Sequence, residues 1–444
     1  MVSRRGSVTS RREFLKVIGV GSLAAGLGPL FRTPQVSAQP KTLKILQWSH
    51  FVPRYDEWFD KKFTKEWGDK HNTQVVVDHI SAGEIRARAA AEVAAQKGHD
   101  LFMFLDPPPV YENQVIEHNE IIEEIERKHG KMVDLAHKST YNPKTKRYYG
   151  VSDNWVPDPV NYRKDLWDAV GMLPDTWEDV RVGGAKIKQQ SGNPVGIGLS
   201  QELDTSMAMR AIMYSFGSHE QNEEGQVTIN SKETLEAVKF VRALYKETMT
   251  AEVFTWDVSS NNRFMLAGKG SLALNAISIT RSAEKDVPEM SKKIQLAKSP
   301  AGPVRRMGLE HVMGVYVIWR FAENKEGAKQ FLIDLVGNFR TAFLESEFYN
   351  FPSFPKTVPD LAELIAKDVK ADPPDKYTIL TDFLNSATNV GYPGYSTAAI
   401  DEVFNTFIIP TMFARAARDE LSPEDAIKAA EREMKRLFAK WEKA

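Results

Sequence analysis

Apolar positions in the first part of the chain follow two alternating periods. Short apolar or β-branched runs are typical of buried strands, and longer stretches with apolar residues at every third or fourth position are typical of helices. The predicted order is strand 43–50, helix 55–70, strand 73–80, helix 83–98 and strand 100–106. This β-α-β-α-β order predicts parallel strands joined by right-handed crossovers, with helices covering both faces of a sheet.

The carboxyl ends of these strands carry polar and aromatic residues. In an open sheet of this class, ligands bind beyond the carboxyl ends of the strands. We therefore expect three groups of residues to meet at one rim: Trp48-Ser49-His50, Ser81 to Glu84, and Asp106-Pro107.

The same alternation continues through the rest of the chain. Strands are predicted at 194–200, 225–230, 294–303 and 311–320. Helices are predicted over 204–217 and after caps near Asp175, Asn230 and Ser422. Two segments are mixed: an extended stretch and short helix over 148–171, and a helix, glycine break and strand over 264–278. No flexible linker separates the two halves, so the pattern predicts two α/β lobes, each a sheet flanked by helices, joined by short hinge crossings. We expect 41–152 plus 275–335 to form lobe 1 and 153–274 plus 336–444 to form lobe 2.

The N-terminal segment has the features of an export signal. Residues 10–16, Ser-Arg-Arg-Glu-Phe-Leu-Lys, resemble the twin-arginine signal of bacteria. The apolar run at 17–31 is too short for a stable membrane span, which needs about 20 apolar residues, and Val36-Ser37-Ala38 fits a signal-peptidase site after Ala38. We expect the twin-arginine machinery to export the folded protein and residues 1–38 to be removed, which leaves a soluble periplasmic protein. An N-terminal anchor that stays attached is the alternative.

Composition narrows the classes of function. The whole chain has a formal net charge of −1, and the 1–38 segment is basic, so the remainder is acidic. An acidic balance argues against a nucleic-acid partner. The chain has no cysteine, so it has neither a disulfide framework nor a lipid-anchor cysteine.

Known catalytic and cofactor motifs do not occur in the sequence. There is no G-x-S-x-G, H-E-x-x-H, Walker loop or G-x-G-x-x-G, and the histidines lack metal-site spacing, so we expect no cofactor and no metal. Glu84, Asp106, Glu202 and Glu310 are candidates for the two facing carboxylates of a glycoside hydrolase. The same carboxylates could equally accept hydrogen bonds from the hydroxyls of a bound sugar, so both functions stay open.

Aromatic residues at strand ends and in glycine- or proline-rich loops favour a flat, hydroxylated ligand. They are Trp48, Trp155, Trp256, Tyr392 and Tyr395. An aromatic face can pack against the C–H face of a pyranose while polar side chains bind its hydroxyls. We expect one or both of Trp48 and Trp155 to stack on the ligand, from opposite lobes.

Several segments together resemble the extracellular solute-binding proteins of ABC sugar importers, the family that includes maltose-binding protein. They are "WSHFVPRYDEWFD", "AAEVAAQKGHDLFMF", "YGVSDNW…VNYRKDLWDAVGMLPDTWEDV", "FMLAGKGSLALN" and "SPAGP". The resemblance implies the two-lobed periplasmic binding protein fold, with a solute trapped between the lobes. It implies a monomeric receptor without catalytic activity, which captures a mono- or oligosaccharide by closure and delivers it to the membrane permease.

The resemblance also implies which residues line the cleft. By their order along the chain these are Trp48, Ser49, His50, Glu84, Asp106, Pro107, Asn154, Trp155, Glu202, Asn275, Ser278, Glu310, His311, Tyr392 and Tyr395, with Asn154 and Trp155 on the first crossing and Asn275 and Ser278 on the returning one. The "FLDPPP" loop and His50 depart from the pattern of the better-known oligosaccharide binders. A secreted carbohydrate-active hydrolase, or a binder of a polyol phosphate, an organic acid or a polyamine, is the alternative.

Overall fold

The computed structural model describes residues 41–443. The twin-arginine motif, the apolar run and the predicted cleavage site lie outside this range. The strands are β1 Lys41–Trp48, β2 Thr73–Ile80, β3 Leu101–Phe104, β4 Tyr141–Asn142, β5 Arg147–Tyr148, β6 Val151–Val156, β7 Val160–Arg163, β8 Val195–Gly196, β9 Leu272–Leu274, β10 Ile294–Ala297, β11 Gly308–Leu309, β12 Val312–Ile318, β13 Phe351–Pro352 and β14 Ala387–Thr388.

Helices lie between the strands and after the last of them. They are α1 Pro53–Trp58, α2 Thr64–His71, α3 Ile85–Ala95, α4 Asn119–His129, α5 Asp134–Lys138, α6 Lys164–Ala169, α7 Trp177–Ser191, α8 Leu203–Ser215, α9 Lys232–Thr248, α10 Ser260–Leu266, α11 Ser278–Asp286, α12 Pro288–Ser291, α13 Lys325–Gly337, α14 Phe339–Glu345, α15 Leu361–Ala366, α16 Ala398–Asn405, α17 Ile408–Ala417 and α18 Pro423–Trp441. A π-helical turn, Phe59–Phe63, joins α1 to α2. Within residues 41–443, no helix is long and apolar enough to cross a membrane.

The larger sheet has six strands in the order β13-β6-β12-β3-β1-β2. β1 pairs in parallel with β2 and β3, which confirms the predicted β-α-β-α-β unit, and β2 has the predicted bounds. β12 returns antiparallel between β3 and β6. Apolar residues of these strands and of the helices around them form the first core.

The second sheet has four strands in the order β10-β7-β9-β8. Its core includes Trp167, whose indole nitrogen donates to the Ser271 carbonyl oxygen at 3.1 Å. A Cβ atom at Gly183 in α7 would lie 2.5 Å from the Trp167 ring, so only glycine lets this helix approach the indole.

The predicted lobe limits differ from the packing in two places. Residues 275–297 were expected in lobe 1, but β10 pairs with β7 of the second sheet, so the chain returns to the first sheet between β10 and β12 and not at 275–278. Residues after 336 were expected in lobe 2, but β13 pairs with β6, and buried side chains from Phe339 to Phe383 belong to the first core. From this packing we propose 41–156 plus 312–383 as lobe 1, and 158–310 plus 389–443 as lobe 2.

Local predictions were accurate to about a residue for helix starts and poorer for short strands. α7 is capped by Thr176 and α9 by Ser231, each one residue beyond the predicted cap, while Ser422 caps α18 as predicted. The strand predicted at 194–200 is limited to β8, and the one at 225–230 forms only a single bridge at Val227.

Replacing Trp167 by alanine tests the packing of the second core. Removing a fully buried indole should lower the free energy of unfolding by about 3 to 5 kcal/mol, because it leaves a cavity in the second core and removes the indole hydrogen bond to the Ser271 carbonyl. Urea denaturation followed by circular dichroism measures the change. The control is Leu173→Ala, because Leu173 is 58% exposed and its loss should change stability by at most about 0.5 kcal/mol. Equal effects of the two substitutions would contradict the assigned core.

Candidate functional site

Four strands of the first sheet end at the edge from which the chain crosses to the second sheet. The carboxyl ends of β1 and β3 meet the start of β12 and the end of β6 there, since Phe104 pairs with Val315 and Val156 with Val312. Pro157-Asp158-Pro159 leads directly from β6 to β7. Because β1 pairs in parallel with β2 and β3, the carboxyl ends of the three predicted strands lie at one edge of the sheet, as predicted.

A buried histidine connects the lobes at this edge. His311 directly precedes β12, and its Nδ1 lies 3.1 Å from Oδ1 of Asp158 in the crossing. Its Nε2 lies 3.6 Å from Oδ1 of Asp204, in the first turn of α8. Burial opposes protonation of His311, but Asp204 and Asp158 outweigh it and raise the histidine pKa to about 9. The imidazole is therefore a cation shared by two carboxylates at neutral pH.

Amide side chains extend this contact across the second lobe. Asn261 Nδ2 in α10 donates to Asp204 Oδ2 at 2.6 Å, and Asn275 Nδ2 donates to the Oδ1 atoms of Asn261 and Asn262 at 2.7 Å each. Asn262 Nδ2 in turn donates to the Ser278 hydroxyl at the start of α11, at 3.0 Å. We call this set the interlobe polar chain: Asp158, His311, Asp204, Asn261, Asn275, Asn262 and Ser278.

Glu202 lies beside the polar chain and caps α8. Its carboxylate accepts from the backbone nitrogens of Asp204 and Thr205 and from the Thr205 hydroxyl. These are the groups that a helix N-terminus leaves without intrahelical partners. Burial, together with the charge of Asp204, raises the pKa of Glu202 to about 8. Glu202 therefore stabilises the position of Asp204 through the helix start.

Aromatic side chains of the first lobe form a second group at the same edge. His50 lies 4.7 Å from Trp48, 4.7 Å from Tyr55 and 5.0 Å from Tyr349, measured between ring centroids. Its Nε2 lies 3.2 Å from Oδ1 of Asn350, and its Nδ1 accepts from a backbone N–H. Burial lowers the pKa of His50 to about 4, so this ring is neutral. We call Trp48, His50, Tyr55 and Tyr349 the aromatic cluster.

Tyr349 connects the aromatic cluster to the polar chain. Its side chain is fully buried, and its hydroxyl has no hydrogen-bond partner among residues 41–443. β13 pairs antiparallel with β6, with Phe351 opposite Trp155, so Tyr349, two residues before Phe351, lies beside the crossing that carries Asp158. Burial raises the pKa of Tyr349, and the charges of Asp204 and Asp158 add to the effect. The preceding Glu347 and Phe348 adopt left-handed φ values of 52° and 68°, a conformation unfavourable for residues with a Cβ atom.

Asn275 in the polar chain is also incompletely satisfied. Its amide nitrogen makes two hydrogen bonds, but its Oδ1 has none within the described part of the chain. Leaving a buried polar atom without a partner costs about 1 to 3 kcal/mol. The Tyr349 hydroxyl and the Asn275 carbonyl therefore indicate polar groups that a bound solute would satisfy.

A second ionic contact links the lobes through the predicted residue Asp106. Its carboxylate forms an ion pair with Arg86 of α3, and Asn405 Nδ2 donates to its Oδ2 at 3.3 Å. Arg86 Nη2 lies 3.1 Å from Oδ1 of Asp401, which is in α16 and packs on the second lobe. The Asp401 carboxylate also accepts from the backbone nitrogen of Val110 at 3.2 Å. Asp106 is thus already paired.

Other residues that were predicted to line the cleft make contacts within the protein that account for their positions without a ligand. Glu84 is exposed and accepts from the Ser81 hydroxyl at 2.6 Å in a capping box. Trp155 packs on Phe351 with ring centroids 5.4 Å apart, in the same sheet as Trp48. The prediction that Trp48 and Trp155 face each other from opposite lobes is therefore wrong, because the crossing comes after β6.

The rest of the predicted set is divided between the rim and the second lobe. Ser49 is exposed, Pro107 is buried, and Asn154 Nδ2 donates to Asp153 at 2.7 Å. Glu310 directly precedes His311 and is fully buried, and burial raises its pKa well above the usual range. Tyr392 accepts from Arg305, Tyr395 packs on His137, and Trp256 packs on Phe264.

Sequence patterns did not indicate six residues of the polar chain and the aromatic cluster: Asp158, Asp204, Asn261, Asn262, Tyr55 and Tyr349. A signal existed for two of them, since Asp158 stands between two prolines directly after a strand, and Asp204 follows the predicted Glu202 by two positions. Tyr349 follows no strand or capping pattern. No group of three or more His, Asp or Glu side chains suited to hold a metal ion occurs in residues 41–443.

Two α/β lobes joined by crossings, with polar side chains buried where they meet, are typical of bacterial solute-binding proteins. Residues 53–347 match the sequence profile of the bacterial extracellular solute-binding protein family, and the chain belongs to that family. This confirms the family resemblance drawn from the sequence.

Solved structures share the two-lobed fold over most of the chain. Maltose-bound MalE3 of T. maritima is similar with a TM-score of 0.72 and 20% identity, over 89% of this chain and 99% of that one. A solute-binding protein of Thermotoga lettingae bound with alpha-D-tagatose has a TM-score of 0.74 and 19% identity, over 90% and 100%. A sugar transporter protein of Arthrobacter chlorophenolicus with laminaribiose has a TM-score of 0.73 and 14% identity, over 89% and 99%.

Similarity to curated proteins is more limited in extent. Binding proteins of Brucella abortus and Brucella suis are 26% identical over 191 residues, which cover 42% of this chain. The match spans about half the length of those relatives, 46%.

The pH dependence of stability tests the contact of His311 with the two aspartates. The folded-state pKa of His311 is about 9 and the unfolded value is 6.5. The stabilisation is therefore complete below pH 6.5 and is lost as the pH rises through 9. This gap corresponds to about 3 kcal/mol. We expect His311→Gln to be less stable than wild type at pH 6 and to approach it by pH 9.5.

Urea denaturation of both proteins at each pH gives the difference directly. Taking the difference removes the contributions of groups that do not interact with His311. Asp204 and Glu202 do interact with it, so the difference reports the charged contact of these side chains together. Parallel pH profiles for wild type and variant would show that the imidazole does not carry the charge assigned to it.

Proposed function

We propose that this protein is a periplasmic receptor of an ABC importer, which captures a carbohydrate between its two lobes and delivers it to a membrane permease. The observation that carries the proposal is the interlobe polar chain at the sheet edge that also carries the aromatic cluster, with a buried tyrosine hydroxyl and an asparagine carbonyl left without partners within residues 41–443. Aromatic faces suit the C–H surface of a sugar, and carboxylates and amides suit its hydroxyls.

Similar structures support a carbohydrate as the solute. Their bound compounds are maltose, alpha-D-tagatose and laminaribiose. The charges of the site argue against a phosphorylated or carboxylated solute, because Arg86 is paired with Asp106 and Asp401 and His311 with Asp158 and Asp204. An anion would meet these carboxylates without a free cation to bind it.

Binding without chemical conversion is the mechanism that the side chains support. A glycoside hydrolase needs one carboxylic acid that donates a proton and a second carboxylate facing it across the bond to be broken. Here Asp158 and Asp204 share the same imidazolium, and Glu202 accepts three hydrogen bonds at the start of α8. A solute that contacts both lobes instead favours the closed state over the open one.

Substitution of Asp204 tests the binding role. In Asp204→Asn the shape is kept but the charge is lost, and a charged hydrogen bond is worth about 1.5 to 3 kcal/mol. We expect affinity to fall by about tenfold to 150-fold, at 1.4 kcal/mol per factor of ten. Titration calorimetry with maltose, D-tagatose and laminaribiose, guided by native mass spectrometry of any solute that co-purifies, measures it.

The matched control is Asp419→Asn, an exposed carboxylate of the second lobe paired with Arg242 and Lys246. Its binding should equal that of wild type. Hydrolysis of any tested sugar by wild type, lost in Asp204→Asn, would replace the receptor proposal by a hydrolase.

Export by the twin-arginine route is the second part of the proposal, together with removal of residues 1–38 and a monomeric mature protein. Replacing Arg11 and Arg12 together by lysine should leave the full-length protein in the cytoplasm, because this route requires the arginine pair. Immunoblotting of periplasmic and cytoplasmic fractions measures the distribution, and the pair Arg4→Lys and Arg5→Lys is the control. Unchanged export of the Arg11/Arg12 variant would exclude this route.

A further inference from the structure

The polar chain and its neighbour Glu202 contain more negative than positive charge. Asp158, Asp204 and Glu202 are the carboxylates, and His311 is the cation between them. Each of these four side chains belongs to a residue at most 9% exposed. Buried charges are costly unless an opposite charge pairs with them, so one imidazolium leaves an excess of negative charge on Asp158 and Asp204. Glu202, with its pKa raised to about 8, is largely neutral at neutral pH and is a third acid that an added cation would ionise.

Arginines on the surrounding helices do not supply the balance. Arg210 of α8 is bound by Glu220, and Arg263 of α10 by Asp257. Arg281 of α11 is bound by Glu284 and Asp368, and it donates to the Glu347 carbonyl. Each guanidinium is therefore committed to partners outside the polar chain.

The titration of the carboxylates agrees with this imbalance. Burial raises the pKa of Asp204 to about 6, although His311 and Asn261 lower it. The same effect of burial raises the pKa of Glu202 to about 8, and Asp204 adds to it. A cation entering between the lobes would favour the ionised forms of both acids.

The aromatic cluster at the same sheet edge contributes no positive charge of its own. His50 is neutral, and the faces of Trp48, Tyr55 and Tyr349 are regions of negative electrostatic potential, which attract cations. The Tyr349 hydroxyl has no hydrogen-bond partner within residues 41–443, and the pairing of β13 with β6 places this residue beside the crossing that carries Asp158. The unpartnered atom of Asn275 is a carbonyl oxygen that can only accept. These groups suit a ligand that donates several hydrogen bonds.

We propose that the solute carries a protonated amine, which binds beside Asp204 with the aromatic cluster on its other side. The proposal rests on the proposed receptor function and specifies the chemical class of its solute. An ammonium group donates three hydrogen bonds and supplies the missing positive charge, whereas a neutral sugar supplies hydrogen bonds only. An amino sugar and a polyamine share this chemistry.

Matched pairs of small molecules test the proposal by titration calorimetry. The pairs are D-glucosamine with D-glucose, D-galactosamine with D-galactose, and putrescine with 1,4-butanediol. In at least one pair we expect the amine to bind at least tenfold more tightly than its neutral counterpart. Preference within the sugar pairs would indicate an amino sugar, and preference within the last pair a polyamine.

Charge variants locate the amine. Asp204→Asn should reduce affinity for the preferred amine at least tenfold and reduce the preference over its neutral counterpart, while Asp419→Asn should change neither. Asp158→Asn serves as a second variant if Asp204→Asn does not fold, as judged by its melting temperature.

Three outcomes would overturn the amine proposal. The first is a neutral member that binds as tightly as the amine in every pair, which would leave the receptor function intact. The second is a co-purified solute without nitrogen, identified by its accurate mass. The third is the absence of binding by any aminated probe. Turnover of a bound sugar, in contrast, would overturn the receptor function itself.

Discussion

The imidazolium of His311, held between Asp158 and Asp204, is the interaction on which the arrangement of the two lobes depends. It joins the start of β12 in the first sheet to the crossing and to α8 of the second lobe, with nitrogen–oxygen distances of 3.1 and 3.6 Å. Charged groups this deeply buried are stable only when they are paired. Asp204 in turn orders the amide side chains of the polar chain. Asn261 donates a hydrogen bond to Asp204, and Asn275 donates one to Asn261.

Further contacts between the lobes act together with this one. Arg86 lies between Asp106 of the first lobe and Asp401 of the second. Arg281 of α11 donates to the Glu347 carbonyl at 3.0 Å, two residues before Tyr349, and its guanidinium lies over the Phe348 ring. A second-lobe arginine therefore holds the turn that presents a first-lobe tyrosine to the site. Closure and completion of the binding site are then the same event, which is the behaviour expected of a receptor that traps its solute.

Much of the fold follows from local pattern, whereas the site depends on distant contacts. The β-branched run of β2 and the ends of β1 and β3 were predictable because strand period and strand direction are local properties. The lobe limits were not, because the pairing of β10 with β7 joins segments far apart in the sequence. Glu84 was predicted to line the cleft, but its carboxylate makes a local contact instead. It accepts a hydrogen bond from the Ser81 hydroxyl, three residues earlier, at the start of the helix. Tyr349 could not be predicted, because it reaches the site only through the pairing of β13 with β6, which joins segments far apart in the sequence.

The distance between the lobes, measured with and without solute, tests the central claim most directly. The chain has no cysteine, so Val76→Cys in β2 and Leu173→Cys after α6 can carry the only two spin labels. Pulsed electron paramagnetic resonance should be recorded on three samples. The first is protein purified from the periplasm, and the second is the same protein after unfolding and refolding to remove its solute. The third is the refolded protein after addition of the solute extracted by heating the purified protein. Trapping between the lobes predicts a longer or broader distance distribution after refolding, and recovery of the short distance when the extract is returned. A single distance that does not change, although mass spectrometry shows the solute bound, would contradict closure and indicate a rigid site.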